Sequence, residues 1–267
     1  MANSTTSRAS ARRAVGVFAP LAALVIWGCL VPAPVDCGYI FADHKLVTAA
    51  AAGHTAGLTT MLSWWSRSDA NAADSHGVSA LMHAAQSGHT EAVNVLLGAG
   101  ADAEAADTIG DTSLSRAARA GHVEVVKALL GAGADANVAN IRDGSTALLY
   151  ASQRVHTDDD ASSTVYAVVK ELLDAGARAN DANMDGWTAL FYASQHGHTQ
   201  ALNALLWTGG ADANAANNAG STALMCAAQQ GRAGAVRRYS GKGRTPALWT
   251  WTGTPRCFMR HEQTTPR

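Results

Sequence analysis

Histidine is the residue type in this chain best suited to chemistry, and there are ten of them. An imidazole can ligate a metal or move a proton near neutral pH, and His196 with His198 forms an HxH pair. A metal or acid–base centre needs several such groups to converge on one point. His54, His89, His122 and His198 instead each follow a glycine and recur at one place in successive similar stretches. Groups repeated in that way lie along a stack, so these four are read as turn-stabilising residues. His196 with His198 suggests no third ligand and is read as structural too.

Other candidate chemistry is equally sparse. Asp158, Asp159 and Asp160 lie in RVHTDDDASST (154–164) and offer weak cation binding, but they lack the alternating oxygen ligands and the glycine of a calcium loop. A solvated loop, with Asp or Ser capping the next helix, is expected there; the functional alternative is a partner-specific contact. Cys29, Cys37, Cys226 and Cys257 fall at the two ends in no CxxC or zinc-ligand spacing, which argues against a disulfide scaffold and a structural metal. The sequence has no GxSxG, P-loop or HExxH, and no GxGxxG in a strand–helix context. It reads as a non-catalytic chain with no metal, cofactor or small-molecule substrate.

Charge narrows the partners. The net charge of −1 hides +2 in residues 1–41, −10 in residues 42–231 and +7 in residues 232–267. An acidic middle is a poor match for a phosphate backbone, so no nucleic acid is expected. With 48% hydrophobic and 15% charged residues, wholesale disorder is excluded as well.

The elements that carry these residues repeat. GVSALMHAAQSGHTEAVNVLLGAGADA (77–103) returns 33 residues later as GDTSLSRAARAGHVEVVKALLGAGADA (110–136). Further copies are DGSTALLYAS (143–152) with VVKELLDAGARAN (168–180), then DGWTALFYASQHGHTQALNALL (185–206), then AGSTALMCAAQQGR (219–232). LVTAAAAGHTAGLTTMLSWW (46–65) is an earlier, weaker copy. Ser79, Thr112, Thr146, Thr188 and Thr222 supply oxygens suited to helix N-caps. Leu81 with Ala84 and Ala85, like Leu114 with Ala117 and Ala118, forms an i, i+3, i+4 apolar stripe on a short first helix. Gly88, Gly121 and Gly197 end that helix. Val93, Leu96 and Leu97, or Val126, Leu129 and Leu130, are the buried edge of a second one. A pair this short cannot bury its own apolar faces, so neighbouring pairs must stack.

These copies resemble the ankyrin repeat, whose pattern runs G-x-T-P-L-H-x-A-A-x-x-G-H…L-L-x-x-G-A-D. The resemblance covers about residues 42–236, with repeats at about 42–74, 75–107, 108–140, 141–183 and 184–217 and a partial one at 218–236. It implies an all-α solenoid of stacked helix–turn–helix units with β-hairpin tips. The family's Pro is Ala80, Ser113, Ala147, Ala189 or Ala223, and its His after Leu is Met82, Ser115, Leu149, Phe191 or Met225. The usual Thr-to-His hydrogen bond is therefore expected to be absent. Between its helices the third copy spans 24 positions from Leu148 to Leu172, against 15 from Leu81 to Leu96, the excess lying in 154–164.

The resemblance implies a protein-binding module whose partner lies on a concave face lined by hairpin tips and first helices. By position, the first full copy contributes Ser75, His76, Val78, Gln86 and Ser87, and the second Thr108, Ile109, Asp111 and Arg119. The third contributes Ile141, Arg142, Ser145, Gln153 and Arg154, and the fourth Met184, Asp185, Trp187, Gln195 and His196. Asn218, Ser221, Gln229 and Gln230 complete the row. Trp187 stands where the core does not ask for an aromatic. Its replacement by Ala is expected to leave folding intact and to cost on the order of 2 kcal/mol of partner binding; the alternative is packing on a neighbouring tip. A regulatory or targeting part of a larger enzyme truncated by a frame break, or a damaged non-functional product, are the other readings of the chain.

The two ends differ from the array. Arg8, Arg12 and Arg13 precede an apolar run, AVGVFAPLAALVIWGCLVPAPV (14–35), so residues 1–41 resemble a signal peptide or membrane anchor. That places the protein in a membrane, secretory or organellar setting; without a real signal it is cytoplasmic. Residues 237–267 are basic and read as a disordered tail or as a frameshifted repeat. Joining the third base of each codon to the next two makes Trp249-Thr250 and Trp251-Thr252 each read Asp, and the remaining codons permit ALLGEGADAGAVDVDGDTALLHAA. A nucleic-acid or acidic-surface arm is the rival reading of the tail. As written, the last copy is expected to lack its second helix and to expose Leu224 and Ala227.

Overall fold

The computed structural model describes residues 38–64, 70–154 and 161–240. Residues 1–37 of the expected targeting segment, Asp158–Asp160 of the insert and residues 241–267 of the proposed frameshifted tail lie outside them, while residues 38–41 belong to the first helix and 237–240 to the last. From Tyr39 onward the described residues belong to one unit. No helix among them is long and apolar enough to cross a membrane.

Twelve helices among the described residues form six helix–turn–helix pairs. They are α1 (Gly38–Ala51) with α2 (Thr55–Trp64), α3 (Ala80–Ser87) with α4 (Thr90–Gly98), and α5 (Ser113–Ala120) with α6 (Val123–Gly131). Then follow α7 (Ala147–Gln153) with α8 (Ala161–Asp174), α9 (Ala189–His196) with α10 (Thr199–Trp207), and α11 (Ala223–Gln229) with α12 (Ala233–Ser240). The first helices α3, α5, α7, α9 and α11 pack in one row and the second helices α2, α4, α6, α8, α10 and α12 in another. Each hairpin between pairs closes on a single antiparallel bridge, Ala73 to Ser79, Ala106 to Thr112, Ala139 to Thr146, Ala182 to Thr188 and Ala216 to Thr222. The third spans one residue more than the others.

The apolar stripe does what its spacing demands. Leu81, Ala84 and Ala85, with Leu114, Ala117 and Ala118, are fully buried between adjacent first helices. Alanine at these positions lets the backbones approach. Val93, Leu96, Val126 and Leu129 are buried between second helices, while Leu97 and Leu130 are only partly covered. Ser79, Thr112 and Thr222 accept cap bonds from Met82, Ser115 and Met225, whereas Thr146 and Thr188 occupy the same place without one.

One expectation is refined and two need correction. The missing Thr-to-His bond is replaced in the second copy, where the Thr112 amide donates to Ser115 Oγ at 3.0 Å and the Ser115 amide to Thr112 Oγ1 at 3.3 Å, a reciprocal cap. The last copy does have a second helix, α12, because Ala235 and Tyr239 supply a buried edge in place of the expected leucines. Tyr239 meets Ser194 through its hydroxyl at 2.6 Å, so the helix continues past Val236, and Ala227 is buried and Leu224 partly so. Finally, residues 161–164 of the insert are not loop but the start of α8.

The repeats are also joined by polar ladders. His89 Nε2 lies 3.1 Å from Ala51 O, His122 Nε2 3.1 Å from Gln86 O and His198 Nε2 3.0 Å from Arg154 O, each ring reaching back to the first helix of the preceding pair. In the last copy Arg232 Nε takes this part, donating to Gln195 O at 3.2 Å. The glycine before each ring makes room for a side chain of the next copy, Gly53 for His89, Gly88 for His122, Gly121 for Arg154 and Gly197 for Arg232. Gly88 adopts φ +79° and a Cβ there would come within 2.6 Å of the His122 ring. On the opposite side of each pair a second ladder runs. Asn71 Oδ1 accepts from the Asp102 amide, Glu104 Oε1 from Asp135, Asn137 Oδ1 from Arg178 and Asn180 Oδ1 from Asp212, at 2.6–2.8 Å.

Burial lowers the pKa of His122 and of His198 below the ordinary 6.5, against the opposing pull of their carbonyl partners. The unfolded chain then takes up protons at a higher pH than the folded one, so stability is complete above 6.5 and falls as pH drops toward the lowered native values. Thermal melts between about pH 7.5 and pH 5 should show Tm falling on acidification. The double variant His122→Gln, His198→Gln should flatten that slope, and an unchanged slope would contradict the role of these rings.

Candidate functional site: hairpin tips and first helices

Each hairpin tip is held by one Asx side chain at its start. Asp74 Oδ1 accepts from the amides of His76 and Val78, Asp107 from Ile109 and Asp111, Asn183 from Asp185 and Trp187, and Asn217 from Ala219 and Ser221. Asn140 accepts instead from Asp143 and Gly144, three and four residues on, and Asp143 takes the Ser145 amide, which together absorb the longer third tip. Adjacent tips are then bonded backbone to backbone. Thr108 N donates to His76 O at 3.1 Å, Ile141 N to Ile109 O at 3.0 Å, Met184 N to Asp143 O at 2.8 Å and Asn218 N to Asp185 O at 3.1 Å. The tips therefore form a continuous row.

The positional assignment of recognition residues divides on this geometry. Ser75, His76, Gln86, Ser87, Thr108, Ile109, Arg119, Ile141, Arg142, Gln153, Met184, Asp185, Asn218, Gln229 and Gln230 are exposed. Arg154, Trp187, Gln195 and His196 are half-buried. Val78, Asp111, Ser145 and Ser221 are buried and present no side chain to a partner. Each of these four sits beside the helix cap, where its amide is tied to the Asx or Asp side chain of its own tip.

Trp187 is also corrected. Its ring meets Phe191 edge-on, with centroids 4.6 Å apart, and stacks on Tyr192 at 5.7 Å. It covers its own first helix and packs against the core. Trp187→Ala should therefore destabilise the array rather than leave folding intact.

Aligning the first helices exposes a polar column that sequence reasoning missed. His83, Arg116, Tyr150 and Tyr192 occupy one position, and each meets the Asx at its own tip. His83 Nε2 lies 3.8 Å from Asp74 Oδ2, and Arg116 donates to Asp107 Oδ2 at 2.5 Å. Asn140 Nδ2 meets the Tyr150 hydroxyl, and Asn183 Nδ2 donates to Tyr192 at 3.3 Å. An acid thus pairs with a base in two copies, and an amide with a phenol in the next two. Comparing columns across the copies would have revealed it.

The densest part lies between the second and third copies. Asp111, 1% exposed, accepts from Arg119 Nη2 at 2.9 Å, from the Tyr150 hydroxyl at 3.2 Å and from Asn140 Nδ2 at 3.3 Å. Arg119 also covers the Tyr150 ring at 3.8 Å, a cation–π contact. Arg116 reaches Gln86 Oε1 at 2.7 Å as well as Asp107. Burial opposes ionisation of Asp107, but Arg116 and the amides of Asp111 and Ile109 outweigh it and hold its carboxyl below the usual range. Burial, with Asp111 and Asp143 adding to it and Arg119 opposing, pushes Tyr150 up to about 12, and burial pushes Tyr192 to about 12. Both phenols remain protonated near neutral pH and orient their neighbours by hydrogen bonding. Among the described residues no group of three or more His, Cys, Asp or Glu is placed to hold a metal.

Stacked helix–turn–helix pairs joined by bonded β-hairpins define a helical repeat solenoid. A family model for ankyrin repeats, with three copies, matches residues 46–140 and 159–238, and the chain belongs to the ankyrin repeat family. It is similar to the crystal structure of an ankyrin repeat domain from Acinetobacter baumannii AYE, at 30% identity over 76% of this chain and 100% of that one, with a TM-score of 0.64. It is also similar to a chain of the structure of the predatory endopeptidase Bd0816 from Bdellovibrio bacteriovorus in complex with immunity protein Bd3460. That match has 28% identity, covers 74% of this chain and 97% of that one, and has a TM-score of 0.59. None of the curated proteins matches.

Removing Asp111 leaves the buried Tyr150 hydroxyl and Asn140 amide without this acceptor, whereas the half-exposed Arg119 can turn to water. Asp111→Ala should lower urea-unfolding stability by about 2 kcal/mol, while Ser75→Ala, at an exposed tip, should stay within about 0.5 kcal/mol. Equal small losses in both would show that the cluster does not couple the second and third copies.

Proposed function

We propose that the array is a non-catalytic module that grips a partner protein with its row of hairpin tips and the adjoining concave face of its first helices. One observation carries this reading: Ile109, Ile141 and Met184, on three consecutive tips, are 36%, 71% and 63% exposed. Soluble surfaces leave single apolar side chains exposed freely, but a row of them rimmed by charge fits a recognition patch. The rim is supplied by Arg142 and Asp185, and by Arg119, whose guanidinium is steadied by Asp111 and Tyr150 while half of its side chain stays open. Its remaining N–H groups suit a carboxylate on the partner. Membership of the ankyrin family, whose members generally mediate protein–protein interaction, supports the same reading. So does the protein–protein complex in which the Bdellovibrio neighbour was solved.

The tip row, rather than Trp187, is where the reading is tested. Ile141→Glu with Met184→Glu should leave Tm nearly unchanged, since both side chains are in solvent. Binding of a purified partner in titration calorimetry should weaken by about 2 kcal/mol or more. Retained affinity in a folded double variant would rule out the tips as the contact.

A further inference from the structure

In a repeat array the regular positions are accounted for by stacking, so the informative places are those where copies depart from one another. Three departures fall on α8, on α10 and on the turn after α10. Relative to the matching leucine, α4 begins six residues before Leu96, whereas α8 begins eleven before Leu172. Trp207 ends α10 where α4 and α6 end in Gly98 and Gly131. One additional residue then follows, since the Ala211 amide reaches back six residues to Leu205 O while the Ala101 amide reaches back five to Leu96 O. Gly209 fits this longer turn against the preceding repeat, where a Cβ would come within 2.9 Å of Leu173 and 3.0 Å of Ala179.

Trp207, with Thr208 at the start of the longer turn, lines an open groove of about 510 Å³ between the two second helices, a size suited to a small ligand. Tyr166, Lys170 and Asp174 line it from α8, and Gln200, Asn203 and Trp207 from α10. Spacings of three and four residues place each set on a single stripe. Trp207 is 62% exposed, a large apolar surface left in water. Lys170 Nζ donates to Asp174 Oδ2 at 2.7 Å, so the two charges in the groove balance. What the groove offers is aromatic surface, amides that both donate and accept, and no net charge.

A ligand matching that set is neutral, has one flat apolar face and carries closely spaced groups that donate and accept. An ionised ligand would have to compete with the Lys170–Asp174 pair, and a purely apolar one would leave the amides without partners. We propose that the α8–α10 groove binds a neutral saccharide, with the C–H face of a pyranose ring on the Trp207 indole. The ring hydroxyls are shared among Gln200, Asn203 and the Lys170–Asp174 pair. The groove is built from second helices and has no residue in common with the tip row, so the two readings fail independently.

Saturation-transfer NMR on the full chain tests this, with maltotriose, cellotriose and chitotriose as probes, each up to about 10 mM, the weak end of the affinity scale. At least one should take up saturation on its ring protons. Trp207→Ala and Asn203→Ala should each weaken that probe about tenfold or more with unchanged circular dichroism, while Ile141→Glu should leave it alone. No transfer to any of the three probes would overturn the proposal. So would equal binding by folded Trp207→Ala, or capture of a proline-rich peptide at the groove in place of every sugar.

Discussion

A helix of eight or nine residues cannot stand alone in water. Nucleation fixes several backbone dihedrals for each first hydrogen bond, and isolated helices shorter than about 12–15 residues are marginal even with good propensity. Pairs such as α3 with α4 add an apolar stripe on both sides that neither partner can cover. Everything else in the array follows from this shortage. Leu81, Ala84 and Ala85 are buried because α5 lies against them, and Leu114, Ala117 and Ala118 because α7 lies against those. Stability is therefore a property of neighbours, which is the behaviour expected of a one-dimensional stack.

Polar groups keep those neighbours in register. The imidazole ladder on one side of the pairs, the Asn and Glu104 ladder on the other, and the backbone bonds between tips each cross a repeat boundary. Apolar burial alone is tolerant of sliding, whereas each of these bonds is broken if the register shifts, and the His89 and His198 rings are then left partly buried without their carbonyl acceptors. The same constraint sorts the candidate binding residues. Side chains next to a cap are drawn inward to satisfy the turn, as Asp111 and Ser145 are, and those at the turn's apex are released to solvent, as Ile141 and Met184 are.

Much of the fold was legible because it is written several times. Periodicity, the Gly-His turn and the Leu-Ala-Ala stripe are all evident in the sequence, whereas the histidines expected to stabilise their own turns instead tie each pair to the preceding one, a contact that no single copy displays. What was not legible depends on contacts across copies or on a substitute residue. The Ser115 cap uses a different group to make a bond whose usual partner is missing. α12 survives because one tyrosine, Tyr239, fills space expected of leucines. Trp187 stands out in the sequence because its partners, Phe191 and Tyr192, are an aromatic pair that no other copy carries at those two positions. For the binding row, sequence position identified the tips but could not separate apex from base, a difference of one or two residues that decides burial.

The dependence of each pair on its neighbours is tested most directly by far-UV circular dichroism of the single repeat 75–107 as an isolated peptide, compared with the whole chain. The account predicts a coil-like spectrum for the peptide at neutral pH and room temperature beside a strongly helical, cooperatively melting spectrum for the chain. A peptide that is helical on its own, with a melting transition of its own, would contradict it.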